Sequence, residues 1–393
     1  MDNLIIYLLL LLAVVTGWLL GRLGRKSRSG QPLRRQEMFA DYFVGLNYLL
    51  NDEPDEAIDT FINALEINHE TKETHLALGA LLRRRGKVDE AIKVHQSLLG
   101  RPDLDQDFVD ASRLELAIDY VTAGLLDRAE RLLQELVTEN SRFKEEALNY
   151  LVTIYQTEKD WEKAMAQLQI LLDMPGTNDG DRVRRLAAHF CCEIADQELA
   201  AERISKAREW VRKAFVKDRK STRASLLLAR IEMLSGNIDI AIRELDRIIH
   251  SNSPYAAQAV EPLYRCHEEK GTLEDLYKSM QDLPLEPGNP SVLLSFSELD
   301  SRPEFNETLV EKLLERTDQP VSARALLKLA MVSLQQGGGG ENPNPDRIVA
   351  LFSRWVSRQP GFRCEDCGFD AMKFYWQCPS CHSWGSIQPK YEG

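Results

Sequence analysis

Apolar residues recur three and four positions apart along almost the whole chain, which predicts helices that each bury one face. From residue 38 the pattern falls into a repeating unit. "YFVGLNYLLNDEPDEAIDTFINALEIN" (42–68) aligns with "HLALGALLRRRGKVDEAIKVHQSLLGRP" (75–102). Gly45 and Gly79 are 34 residues apart, as are Ala57 and Ala91, each inside a "DEAI" tetrad. Further units centre on Ala129, Ala164, Ala207 and Ala241, with a weaker one around Leu276. The step from Ala164 to Ala207 is 43 residues, so the linker "DMPGTNDGDRVRR" is expected to carry an insertion. Residues 290–336 keep the helical period but lose the repeat signature. "QQGGGGENPNPD" (335–346) predicts a flexible loop before one last amphipathic helix, 347–359.

The unit resembles the tetratricopeptide repeat, a helix–turn–helix of about 34 residues. Gly45 and Ala57 lie where two antiparallel helices cross closely, and a larger side chain there would push them apart. Tyr48 with Phe61, then Tyr120 and Tyr155, are expected to fill gaps between stacked pairs. One unit cannot bury its apolar face alone, whereas a stack can, and such stacks present a concave surface lined by the first helix of each pair. Arg83 and Arg84 fall late in a first helix. They are expected to be ordinary solvated charges, with groove-facing contacts as the alternative. The fold class predicted is all-α, a tetratricopeptide superhelix.

The N-terminus breaks the pattern. Leu4 to Leu20, "LIIYLLLLLAVVTGWLL", runs 17 residues without a charge. A helix of that length spans ~25 Å against a hydrocarbon core of ~30 Å, and Trp18 and the following arginines would extend it into the interface. A cleaved signal peptide needs positive charge before the apolar run and a small-residue cleavage site after it. Here the charges follow the run and no Ala-x-Ala follows, so a retained single-pass anchor is expected. The positive-inside rule then places Arg22 to Arg35, and everything beyond, in the cytoplasm, with the N-terminus on the opposite side of the membrane.

Charge narrows the partners. The 393 residues carry 49 basic and 61 acidic side chains. Residues 1–35 hold six of the basic ones and only Asp2 among the acids, which leaves residues 36–393 at −17. So acidic a body is a poor general phosphate binder, and nucleic acid is not expected as a partner. Enzyme signatures fail as well. "GALLRRRGK" (79–87) has six residues between its glycines where a phosphate loop needs four, and lacks the following Ser or Thr. "HETKE" (69–73) and "HEEKG" (267–271) stop short of a zinc-protease helix, and no Gly-x-Ser-x-Gly occurs. Cys191, Cys192 and Cys266 sit in helical segments and read as small buried hydrophobes. No catalytic residue is expected.

The chain ends differently again. "CEDCGFDAMKFYWQCPSCHSWGS" (364–386) places Cys364-x-x-Cys367 ten residues before Cys378-x-x-Cys381. Each pair makes a tight knuckle that aims two sulfurs at one point. Two facing knuckles give a tetrahedral all-sulfur site suited to one ion of zinc or iron. Gly368 follows the first pair, where a chain folding back needs an unhindered backbone. From Gly361 onward only about 30 residues remain, too few for a self-sufficient core, so metal ligation would supply the folding energy. Four thiolates leave no open position for substrate, which argues against metal-assisted hydrolysis. His382, beside Cys381, is not expected to be a ligand. Phe369, Phe374, Tyr375, Trp376 and Trp384 are expected to cover the knuckles and dock them on the last helices, with a partner-binding face as the alternative.

Anchor, repeats and terminal thiols together define an organisation: 1–21 transmembrane anchor, 22–36 basic juxtamembrane linker, 37–359 tetratricopeptide array, 360–393 rubredoxin-like metal-binding domain. That combination resembles the lipopolysaccharide assembly protein B family, through "LIIYLLLLLAVVTGWLLGRLGR", the "DEAI" repeats and "CEDCG…CPSCHSWGS". The resemblance implies that Cys364, Cys367, Cys378 and Cys381 hold the metal. It further implies a stress-linked adaptor that restrains lipopolysaccharide synthesis, between a membrane-bound AAA+ protease and the deacetylase that commits carbon to lipid A. Other lipopolysaccharide assembly proteins are implied as further partners. Two alternatives stay open, a scaffold for envelope assembly without proteolysis and an electron-transfer protein built on a rubredoxin-like iron.

Overall fold

The computed structural model describes residues 72–100, 104–175, 180–251, 253–283, 289–299 and 359–390, with the single positions 16, 44, 48 and 60. Apart from those single positions, the expected anchor, the linker 22–36, the first repeat with Gly45, Ala57 and Phe61, the Gly-rich loop and the helix 347–359 lie outside the described residues. No helix among the described residues is long and apolar enough to cross a membrane. The chain divides into two compact units, Met1–Glu158 and Lys159–Gly393.

The first unit carries α1 (Lys72–Arg84), α2 (Val88–Leu99), α3 (Gln106–Thr122), α4 (Leu126–Thr138) and α5 (Lys144–Glu158). The second carries α6 (Trp161–Asp173), α7 (Gly180–Ala200), α8 (Ile204–Lys217), α9 (Thr222–Leu234) and α10 (Ile238–Ile249), then a 3₁₀ turn (Ala256–Ala259), α11 (Val260–Lys270), α12 (Leu273–Asp282) and α13 (Asn289–Leu299). Three short strands follow: β1 (Phe362–Cys364), β2 (Asp370–Ala371) and β3 (Ile387–Pro389).

The repeat centres read from the sequence are the helix-crossing points. Ala91, Ala129, Ala164, Ala207 and Ala241 are fully buried, and Leu276 is nearly so. Four residues after each centre stands another fully or almost fully buried side chain: His95, Leu133, Leu168, Val211, Leu245 and Met280. Five residues before each centre the backbone turns left-handed, at Gly86, Gly124, Lys159, Glu202, Gly236 and Gly271. At the five positions other than Lys159 the amide of this left-handed residue donates to a carbonyl at the end of the first helix, and the chain reverses into the second. Ser221 and Asp105 cap the starts of α9 and α3 by accepting from the amides of Ala224 and Phe108.

His95 departs from the aliphatic pattern, and the fold accommodates it. A Cβ added to Gly79 would sit 2.2 Å from His95 Nε2, so the imidazole occupies the space that a side chain at 79 would need. His95 Nδ1 lies 2.5 Å from Asp119 Oδ2. Asp119 also accepts from Arg83 Nη1 at 2.6 Å, and Arg83 Nη2 donates to Glu115 Oε2 at 2.6 Å. Arg83 is therefore not an ordinary solvated charge, as expected from its helix position, but the bridge between α1 and α3; Arg84 beside it is exposed. Burial works against the Arg83 cation, yet the two carboxylates outweigh it and hold the guanidinium above its ordinary range. Tyr120 and Tyr155 fill buried positions as expected, and each hydroxyl finds a partner, Gln96 Nε2 at 2.8 Å and Glu130 Oε1 at 2.7 Å.

The extra residues between Ala164 and Ala207 do not all form a loop. "GDRVRR", expected as linker, is the first turn and a half of α7, which runs 21 residues. Cys191 and Cys192 lie on its buried face, where burial pushes their thiols up to about 11 and about 12. Cys266 in α11 is also fully buried and its thiol is raised by the same cause. All three are packing residues, inert at neutral pH.

Candidate metal centre and its docking surface

The terminal strands form one small antiparallel sheet in the order β2-β1-β3, with Phe362 opposite Ala371 and Pro389, and Cys364 opposite Ile387. Two knuckles hang from it, and they are built alike. In the first, the Cys364 amide donates to Phe369 O at 2.8 Å and the Gly368 amide to Cys364 O at 2.9 Å. In the second, the Cys378 amide donates to Ser383 O at 2.8 Å and the His382 amide to Cys378 O at 2.9 Å. Gly368 turns left-handed at φ 74°, and His382 does the same at φ 59°. His382 is thus the second knuckle's counterpart of Gly368, a backbone role that no residue-type signal in the sequence announced.

The four sulfurs all lie within 4.8 Å of one another. Cys364 Sγ is 3.7 Å from Cys381 Sγ, and Cys367 Sγ is 3.8 Å from Cys378 Sγ. A tetrahedron with metal–sulfur bonds of about 2.3 Å sets its sulfurs about 3.8 Å apart, so the cluster fits a single four-thiolate ion. In each pair the first cysteine is buried and the second exposed. Burial pushes Cys378 up to about 11. The Ser383 hydroxyl and amide, both donating to Cys381, hold that thiol down to about 6. Cys364 falls below its ordinary value despite burial, through Ser386 and the amides of Cys367 and Asp366. Donors aimed at sulfur favour the thiolate, the form that binds metal.

The knuckle is seated on helices of the second unit by aromatic side chains. Trp384 stacks on His189 of α7, with centroids 5.2 Å apart and planes at 29°. Trp161 and Phe190 meet the same ring edge-on, each at 6.0 Å. Arg223 of α9 lies over both Trp384 and Trp376, its Cζ 5.3 and 5.7 Å from the centroids, a desolvated cation–π pair. Arg223 is held in place by Glu193 Oε1 at 2.7 Å and Asp196 Oδ2 at 3.2 Å. Tyr255 packs on Trp376 and Phe374 at 5.1 and 5.6 Å, and its hydroxyl donates to the Gly385 carbonyl.

Packing therefore claims Phe374, Trp376 and Trp384, while Phe369 and Tyr375 are exposed. Among the described residues the dock is on α6, α7, α9 and the turn at Tyr255, and the last helix expected to take part, 347–359, lies outside the described residues. His189, Arg223, Tyr255 and Trp161 carried no motif that marked them beforehand. Trp161 Nε1, His189 Nδ1 and Arg223 Nη1 are buried without a hydrogen-bond partner, and all three side chains border Trp384. Burial, reinforced by the neighbouring Arg223 cation, pushes His189 down to about 3, so it is neutral at physiological pH.

Helix pairs with buried alanines at their crossings, closed by a four-thiol knuckle, define a tetratricopeptide-repeat protein with a rubredoxin-type terminal module. Residues 74–107 match the tetratricopeptide repeat family, and residues 362–389 match the family described as the rubredoxin metal binding domain. Lipopolysaccharide assembly protein B of Escherichia coli K12 is 30% identical over 386 residues, covering 98% of this chain and 97% of that one. The Haemophilus influenzae protein of the same name is 29% identical, with 98% of each chain covered. The chain belongs to the lipopolysaccharide assembly protein B family. Among solved structures, Naa15/Naa10 bound to HypK-THB superimposes with a TM-score of 0.40 at 18% identity, over 82% of this chain and 53% of that one, too loosely to inform the fold.

Proposed function

We propose that the protein is a membrane-anchored, non-enzymatic adaptor of lipopolysaccharide biosynthesis. The observation that carries this reading is the seating of the knuckle. A closed four-thiol cluster is packed by Trp384 onto a helical array whose general use is protein binding. Such a cluster offers no coordination position to a substrate, so its work is to fold the module that presents its own surface beside the array. Cys364, Cys367, Cys378 and Cys381 would hold the ion, zinc or iron.

The partners we propose are the membrane-bound AAA+ protease and the lipid A-committing deacetylase, with other lipopolysaccharide assembly proteins gathered at the same site. Residues 1–21 would anchor the chain in the inner membrane with the array in the cytoplasm, so that 37–359 and 360–393 work next to a membrane protease at high effective concentration. Measuring the half-life of the deacetylase in cells with the protein present and then depleted tests this. A marked lengthening on depletion is expected. An unchanged half-life would leave the scaffold reading and exclude the proteolytic one.

A further inference from the structure

In a body that is net acidic, one outer helix is strongly basic. Residues 203–220, α8 with its flanking turns, carry eight basic and two acidic side chains. The other second helices nearby, α6 and α10, each carry one more acid than base. Second helices of the repeats form the convex side of such an array. Three of the eight cations have partners within the fold: Arg203 pairs with Glu198, Arg208 with Glu232, and Lys217 donates to Gln169. Lys213 reaches Glu209, one of the two acids, and lies 3.9 Å over the Trp210 ring. Lys206, Arg212, Arg219 and Lys220 have no ion-pair partner among the described residues and are exposed.

Ala207, Val211 and Ala214 bury the opposite face of α8 completely. At the centre of the outer face stands Val216, 81% exposed, the most exposed large apolar side chain among the described residues. Helical geometry places Lys206 and Lys213 along one side of Val216 and Arg212 on the other, and Arg219 and Lys220 follow in the turn beyond the helix end at Lys217. A convex row of cations around an apolar centre cannot enclose a peptide or a small anion, but it can lie on a plane. Anionic headgroups would meet the cations, and Val216 would meet the acyl boundary.

We propose that the outer face of α8 is a second membrane contact, one that docks the array on anionic phospholipid. The proposal builds on the membrane-anchored reading but is separable from it. The full-length chain would be mixed with vesicles of phosphatidylcholine alone or of phosphatidylcholine with phosphatidylglycerol, floated, and labelled with an amine-acetylating reagent. On anionic vesicles, labelling of Lys206, Lys213 and Lys220 should slow about fivefold relative to neutral ones, the change expected per basic residue at such a surface. Lys93 and Lys373, outside the patch, should not change, and high salt should abolish the difference. Arg212→Glu with Lys220→Glu, both exposed and unpaired, should remove the protection of Lys206 and Lys213. Flotation on both vesicles with no slowing overturns the proposal, keeps the anchor and assigns the patch to an acidic protein surface. Flotation and slowing on anionic vesicles alone keeps the proposal and overturns the anchor. Flotation on neither overturns both.

Discussion

The Tyr255 hydroxyl donates to the carbonyl of Gly385, joining a turn of the array to the second knuckle across 130 residues of sequence. Gly385 is suited to this approach because its backbone is left-handed at φ 64° and a Cβ there would sit 3.3 Å from His189 Nε2. Around that bond the junction is mainly aromatic, and three buried polar atoms beside Trp384 are unpaired. A seat of this kind depends on ring contact more than on polar pairing.

Trp384→Ala should therefore release the knuckle. Losing a packed tryptophan costs about 3–5 kcal/mol, against about 1 kcal/mol for the single hydrogen bond removed by Tyr255→Phe. Limited proteolysis near residue 360 should accelerate strongly in the first variant and little in the second, with one metal ion per chain retained in both. Equal protease resistance in Trp384→Ala and the parent would refute the seat.

Acid should loosen the same junction. His189 sits near pH 3 when docked, below the ordinary value of 6.5 because burial and Arg223 disfavour its cation. The docked form is thus favoured in full above about pH 6.5. Below it the released histidine takes up a proton that the docked one refuses, and docking weakens by about 1.4 kcal/mol per pH unit down to about pH 3. Melts followed by tryptophan fluorescence between pH 7.5 and 5.5 should show this slope, and His189→Phe should flatten it, with metal content monitored in the same samples.

Removing the metal should unfold the knuckle and spare the array. Structural zinc supplies on the order of 10–16 kcal/mol of apparent folding energy to modules of this size. Chelation or Cys378→Ser should abolish the amide protection at Cys364, which donates to Phe369 O, and at Glu365, which donates to Ser386 O, while helical circular dichroism stays near its starting value. A chelated protein that keeps those amides protected would mean that the sheet folds without the ion.

Gly79 and His95 should be energetically coupled. Gly79→Ala alone drives a Cβ into an imidazole held by Asp119 and should cost about 1–3 kcal/mol. With His95→Leu added, the pair becomes the Ala and Leu found at 117 and 133 and at 229 and 245. The double variant should lose less stability than the sum of the two single ones, by at least ~0.5 kcal/mol in a denaturant cycle. Strict additivity would show that the two residues do not compete for space.

Glu202 and Lys159 hold, with side chains, the left-handed turn position that glycine holds in the other four described turns. Glu202→Gly should stabilise the second unit by about 1 kcal/mol, since an L-residue in that conformation is strained by about that amount. A drop in melting temperature would mean that the Glu202 side chain makes a compensating interaction.

Much of this was legible in one dimension. The alanine centres could be read because a helix crossing admits only small residues, a demand met locally at each repeat. The thiols could be read because metal geometry restricts both residue type and spacing. Cys191, Cys192 and Cys266 read correctly as packing because apolar helix faces leave them no other role. The left-handed turns at Lys159 and Glu202 escaped notice because neither residue type advertises that conformation, and His382 hid a glycine-like role in the same way. α7 absorbed residues expected as a linker because "GDRVRR" contains no breaker beyond its opening glycine.

The sequence by itself determined the parts: helix pairs at a near-regular period, a four-thiol module, an acidic body behind a basic N-terminal stretch. Those follow from backbone periodicity, close-packing limits and ligand chemistry, all set within a few residues. Only the tertiary structure decided that Arg83 is locked between Glu115 and Asp119, and that Trp384 seats on His189, Arg223 and Trp161. Those contacts join helices tens to hundreds of residues apart. They depend on how far each repeat rotates against the next, and no local pattern encodes that sum.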